Sequence, residues 1–208
     1  MKKLKYTTIL LFTIIFYNVN AQDTEDYIEF DDSQNTVHGV YLGLSAYYGE
    51  IEGESTYMFG GKVAYVANQQ FEIGFAGVGF YTDQNSQGII SDDGIYGGYG
   101  GFHLEPIFFG KRTVSLAIPI LIGGGVVGYV DDYFEDFDIE DETWDAYFVF
   151  EPGLSVQYNI SRFIQLEGGV KYRFSSDINL YPGSIKNING FSAGIGMKFG
   201  VFNMRRDK

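Results

Sequence analysis

The sequence predicts an all-β chain folded as an eight-stranded antiparallel up-and-down transmembrane β-barrel, and three observations carry that prediction. Segments of a dozen or so residues alternate apolar and polar side chains, the period of a strand with two unlike faces. The stretches between them alternate short and long, as in a barrel with one plain and one elaborated rim. With 28 Gly, 17 Tyr and 19 Phe but only 4 Pro in 208 residues, the composition suits twisted strands with aromatic borders and leaves little room for helices.

The chain opens with MKKLKYTTILLFTIIFYNVNAQ, where Lys2, Lys3 and Lys5 precede the apolar run Ile9–Phe16 and Val19-Asn20-Ala21 offers a small-residue cleavage site. That is the pattern of a secretory signal, residues 1–21, and the run is well short of the ~20 residues a membrane helix needs. The remaining chain, about 187 residues, is enough for one domain. Without the signal lysines it carries 11 basic against 27 acidic residues, a net charge near −16. Such a chain repels a phosphate backbone, so no nucleic-acid partner is expected. The absence of cysteine excludes disulfides and thiolate chemistry. Residues 22–36, acidic and unpatterned, read as a flexible leader, and 203–208 as a polar tail.

Between them, residues 37–202 hold eight strand-like segments. In Val37–Glu50, Val40, Leu42, Leu44 and Tyr48 oppose Gly39, Tyr41, Gly43 and Tyr47. In Thr56–Ala67, Tyr57, Phe59, Val63 and Tyr65 oppose Met58, Gly60 and Lys62. In Gln70–Thr82, Phe71, Ile73 and Phe75 oppose Glu72, Gly74 and Ala76. In Gly97–Phe109, Phe102, Leu104 and Phe108 oppose Tyr99, His103 and Glu105. The fifth, Thr113–Val130, sets Val114, Leu116, Ile120 and Ile122 against Ser115, Ala117 and Gly123. The sixth, Ala146–Asn159, sets Phe148, Phe150, Leu154 and Val156 against Glu151, Ser155 and Gln157. The seventh, Phe163–Phe174 (FIQLEGGVKYRF), is the clearest: Ile164, Leu166, Val170 and Tyr172 share one face, Gln165, Glu167, Lys171 and Arg173 the other. The eighth, Gly190–Phe202, sets Phe191, Ile195, Met197 and Phe199 against Ser192, Gly196 and Lys198. Asn68-Gln69, Gly110–Arg112 and Ile160–Arg162 read as tight turns; Ile51–Ser55, Asp83–Tyr96, Asp131–Asp145 and Ser175–Asn189 read as the longer, polar connections.

One face of each segment is almost free of charge, so it is expected to meet lipid. The other faces carry Glu72, Glu105, Glu151 and Glu167 with Lys62, Lys171, Arg173 and Lys198, and also His103. An eight-stranded lumen is only about wide enough for its own side chains. Charges there must pair, because stranding one costs roughly 3–5 kcal/mol. These nine residues are therefore predicted to form a structural charge network, with glycines elsewhere on the inner faces leaving room for it. Counting from the Ile160–Arg162 turn places Glu151 roughly opposite Lys171, a predicted pair. Aromatic girdles are expected at both membrane surfaces. Tyr48, Tyr57, Tyr81, Tyr129, Tyr147 and Tyr172 would lie toward the long loops, and Tyr65, Phe71, Phe108, Tyr158, Phe163 and Phe199 toward the short turns.

Export signal, alternating strands, unequal rims and paired girdles together resemble the eight-stranded outer-membrane β-barrel family of Gram-negative bacteria, which includes the OmpA transmembrane domain and OmpX-like, porin-family proteins. The resemblance is one of pattern over Val37–Phe202. It implies residence in the outer membrane, with lipid and lipopolysaccharide as surroundings, action as a monomer, and an aromatic-ended last strand read by the insertion machinery. FSAGIGMKFGVF resembles that ending through Phe202, although NMRRDK runs on past it.

Other motifs carry less. Gly123, Gly125 and Gly128 have dinucleotide-loop spacing, but VGYVDDYFED is no helix start. Asn159-Ile160-Ser161 fits a glycosylation acceptor only by chance in a tight turn. Asp131–Asp145 holds nine carboxylates, which reads first as a solvated loop and second as a weak site for calcium or magnesium. His103 and Glu105 share a face, yet no serine or cysteine nucleophile is placed with them. No catalytic, cofactor or metal residues are therefore expected. The reading is a non-enzymatic outer-membrane barrel in envelope integrity or surface interaction. A lipid-modifying barrel enzyme and a soluble lipocalin-like barrel with an apolar inside are its rivals.

Overall fold

The computed structural model describes residues 38–82, 94–130, 144–161, 163–179 and 185–204. The signal, the leader, the longer connections at 83–93 and 131–143, and the end of the tail lie outside them. Nine strands run β1 (His38–Ile51), β2 (Glu54–Ala67), β3 (Phe71–Thr82), β4 (Gly94–Phe108), β5 (Val114–Ala117), β6 (Ile120–Val130), β7 (Trp144–Asn159), β8 (Ile164–Ser175) and β9 (Gly190–Met204). Every pairing is antiparallel and follows chain order, and β1 pairs β9 to close the ring.

The predicted fifth strand is one stave in two pieces, so the ring has eight staves. The ladder lapses at Ile118-Pro119 because proline has no N–H to give. Register does not slip there: Ile107 faces Ala117 and Leu104 faces Ile120 across β4. Ile118 N still donates to Pro106 O at 3.0 Å, and Pro119 O accepts from Gly153 N at 2.8 Å.

The connection over Ile51–Ser55 is not a longer loop. Ile51 pairs Glu54, and Glu52 (φ 50°) and Gly53 (φ 89°) make a two-residue turn. Positive φ at both central positions is what a hairpin following the strands' right-handed twist requires, and glycine takes it without strain. Asn68 and Gln69 (φ 53° and 56°) form the same mirror-image bend at the other rim. The last stave runs to Met204, two residues beyond the expected Phe202 end.

Alternation sorts the strands as expected. Ile195 (72%), Phe59 (69%), Phe75 (63%) and Leu154 (62%) are the outward extremes of exposure, whereas Lys198, Arg173, Glu72 and Glu105 are 0% exposed. Between the girdles no described outward position carries a charged side chain. A water-soluble protein has the opposite polarity; this one is built for hydrocarbon around it.

The girdles form with one correction. Tyr48 and Tyr57 stand outward with ring centroids 5.4 Å apart, and Tyr81 and Tyr96 at 4.6 Å. Tyr147 points inward instead: it is 4% exposed, and its hydroxyl donates to Gly98 O at 3.2 Å. Phe148 and Phe150 hold the outward parity of β7, so their odd-numbered neighbour must face the lumen. Tyr129 is paired in register with the buried Ile95, and its side chain lies outside the described residues.

Candidate functional site in the barrel lumen

The closed ring brings the nine predicted residues into two ionic groups. In the first, Lys198 of β9 reaches Glu72 of β3 at 2.9 Å to both oxygens, Glu105 of β4 at 3.1 Å and Glu167 of β8 at 3.4 Å. Lys62 of β2 adds contacts to Glu167 at 2.8 Å and Glu105 at 3.3 Å. His103 Nε2 lies 2.9 Å from Glu105 and 3.9 Å from Glu72. The second group joins Glu151 of β7 to Lys171 at 3.2 Å and Arg173 at 3.9 Å, both on β8.

The Glu151–Lys171 contact is diagonal. Phe150 faces Phe174 and Gly153 faces Lys171, which sets Glu151 directly across from Arg173. The shorter contact nevertheless goes to Lys171, two residues along.

Neutral donors complete the glutamates. The hydroxyls of Tyr41 and Tyr99 donate to Glu72 and Glu151, and Gln157 Nε2 donates to Glu105. Gln157 in turn accepts from Ser115 Oγ at 3.1 Å. Tyrosine faces also meet the cations: Lys171 sits 4.4 Å from the Tyr47 ring centroid, Lys198 4.9 Å from that of Tyr41 and Arg173 5.6 Å from that of Tyr99. Buried charge is tolerated only with such satisfaction. Neither the tyrosines nor Gln157 stood out in the sequence, where they read as ordinary strand residues.

Glycines make the room that these side chains occupy. A Cβ on Gly43 would lie 2.8 Å from Lys62 Cγ, one on Gly153 2.8 Å from Lys171 Cγ, and one on Gly196 2.7 Å from a Glu167 carboxylate oxygen. Between the ionic groups lies a cavity of about 20 Å³, room for about one water. Lys62, Lys171, Glu151, Glu167, His103 and Ser155 line it.

Two kinds of chemistry can be weighed here. Ligand atoms of Glu72, His103 and Glu105 lie within 4.8 Å of one another, a spacing that could hold a metal ion. Lys198 already brings a cation to both oxygens of Glu72, so the carboxylates are neutralised by the chain itself. For acid–base chemistry, His103 is bonded to Glu105, and among the described residues no hydroxyl is hydrogen-bonded to it. The group is arranged to hold charge in place.

Eight antiparallel staves, an apolar outside and a paired ionic inside define a transmembrane β-barrel. Among solved structures the chain is similar to the crystal structure of Neisserial surface protein A (NspA), at 12% identity over 78% of this chain and 96% of that one, with a TM-score of 0.54. Weaker likenesses run to the attachment invasion locus protein Ail of Yersinia pestis (13% identity, 80% and 98% covered, TM-score 0.46) and to the N-terminal β-barrel domain of Pseudomonas aeruginosa OprF (11%, 80% and 98%, TM-score 0.46). The fold is thus that of the eight-stranded outer-membrane barrels. No family model and no curated protein matches the chain in sequence.

Proposed function

We propose that the protein is a non-enzymatic outer-membrane barrel with a filled lumen that does not conduct, a rigid ring displaying its long-loop rim to the medium. One observation carries this: the lumen is occupied by paired charges, leaving, among the described residues, cavities of about 20 and 10 Å³. That is too little for a ligand or an ion stream. The apolar exterior suits lipid as its surroundings, with lipopolysaccharide at the outer leaflet. Nine carboxylates in Asp131–Asp145 suit weak calcium or magnesium bridging to lipid phosphates. Its role is then envelope integrity or surface interaction, as a monomer. The charged interior argues against the lipocalin-like reading, and His103, bonded to Glu105 with no hydroxyl hydrogen-bonded to it among the described residues, argues against lipid hydrolysis.

Fractionation with planar-bilayer recording tests this. The protein is expected in the outer membrane, giving no conductance steps. Periplasmic recovery, or stable conductance from the purified monomer, would overturn it.

A further inference from the structure

The connection between β8 and β9 does more than cross the rim. Its two described legs, residues 176–179 and 185–189, bring Ile178, Ile185 and Ile188 (5%, 2% and 0% exposed) into one cluster with inward side chains of the wall such as Met58, Phe80, Val127 and Val149. The legs hold each other, Ile178 N donating to Lys186 O at 2.9 Å. Their further anchorage is polar. Ile188 N donates to Ser175 Oγ at 2.9 Å, Ser175 N to Asn189 Oδ1 at 2.6 Å, and Lys186 N to Glu52 Oε1 at 2.8 Å. The first leg also carries the β7–β8 register one residue further, Ser176 N donating to Phe148 O and Phe148 N to Ser176 Oγ, both at 3.0 Å, and Asn179 N donates to Asp145 Oδ2 at 2.6 Å. Beyond Ser176 the bonds stand apart from the strand ladders, so the legs could leave from that point with the ring intact.

Arg173 joins the legs to the ionic lumen. Its Nε donates to Ile188 O at 2.7 Å, whereas its nearest carboxylate, Glu151, stays at 3.9 Å. Its Nη1 hydrogen-bonds Met58 Sδ at 3.1 Å and Tyr99 Oη at 3.4 Å, and among the described residues its Nη2 has no hydrogen-bond partner although the residue is fully buried. A buried guanidinium that leaves donors unused beside a carboxylate has a second arrangement available to it.

We propose that the two legs form a movable stopper in the long-loop mouth, with Arg173 as its latch. Seated, Arg173 holds the Ile188 carbonyl and the cavity below is sealed. Lifted, the stopper frees Arg173 to close onto Glu151 and opens the cavity to the medium. The switch rests on the reading of the barrel as closed, which bilayer recording tests separately.

The chain has no cysteine, so Ser155→Cys places a single thiol on the cavity wall. The variant is refolded in detergent, its unboiled gel shift is checked, and its reaction with a water-soluble maleimide is timed. Labelling is expected at least tenfold slower than in the boiled protein. Adding Ile185→Ser and Ile188→Ser should raise the rate at least tenfold and expose the chain to trypsin after Lys186. Arg173→Met should act in the same direction, with Arg173→Lys restoring protection in part. If the double serine variant fails to refold, Ile188→Ala is read in its place. Rapid labelling with the stopper intact, or equal rates after unseating in a ring that keeps its gel shift, overturns the proposal. An unchanged rate in Arg173→Met overturns the latch.

Discussion

Replacing Lys198 by methionine tests the lumen most severely. The side chain is fully buried and touches three glutamates at 2.9, 3.1 and 3.4 Å. Without it Glu105 and Glu167 keep Lys62, but among the described residues Glu72 keeps only the Tyr41 hydroxyl and His103 at 3.9 Å. The loss therefore amounts to one stranded buried carboxylate, about 3–5 kcal/mol. With a urea slope near 2 kcal/mol/M, the unfolding midpoint should fall by roughly 1.5–2.5 M. The assay is urea titration of barrel folded in lipid vesicles, followed by the fluorescence of Trp144, the one tryptophan. Adding Glu72→Gln removes the stranded charge and should recover more than half of the loss. A fall below about 0.5 M, or a double variant no better than the single one, would refute the reasoning.

Other changes should rank around that one. Lys171→Met should cost less, about 1.5–3 kcal/mol by the same titration, because Lys171 is 18% exposed and Glu151 keeps Tyr99 and Arg173. Ile195→Lys, at the most exposed of the large hydrophobics, should cost about 2–4 kcal/mol in lipid, whereas a wet surface would accept it freely. Gly153→Ala should cost about 1–3 kcal/mol, since its methyl meets both Lys171 Cγ and Val170 O at 2.8 Å. On gels, protein from outer membranes should migrate differently unboiled and boiled; identical mobility would count against a closed ring.

How much was legible depended on the range of the physics involved. FIQLEGGVKYRF revealed strand, face and charge because alternation is written in neighbouring residues. Tyr147 was misplaced although the same alternation held the answer: an aromatic near a strand end suggested a girdle, while Phe148 already fixed its parity. The Glu52-Gly53 turn was hidden by polar composition, though glycine after a polar residue is a hairpin signal. Lys198 bridging β3, β4 and β8 could not be read, because partners across a lumen depend on how the closed ring staggers its staves. Nor could the inward legs: Ile178, Ile185 and Ile188 have no period in a polar stretch, and only the packed mouth explains them.

The seam between β1 and β9 has a consequence for biogenesis. Leu42 lies opposite Phe199 and Tyr48 opposite Ala193, so the first stave made must wait for the last. Until then the growing sheet presents two raw edges, each a template for stray pairing with another chain. Contacts of such sequence separation form slowly. A nascent copy in the aqueous space must accordingly be escorted, and a truncation that removes β9 should yield aggregate in place of a smaller hoop.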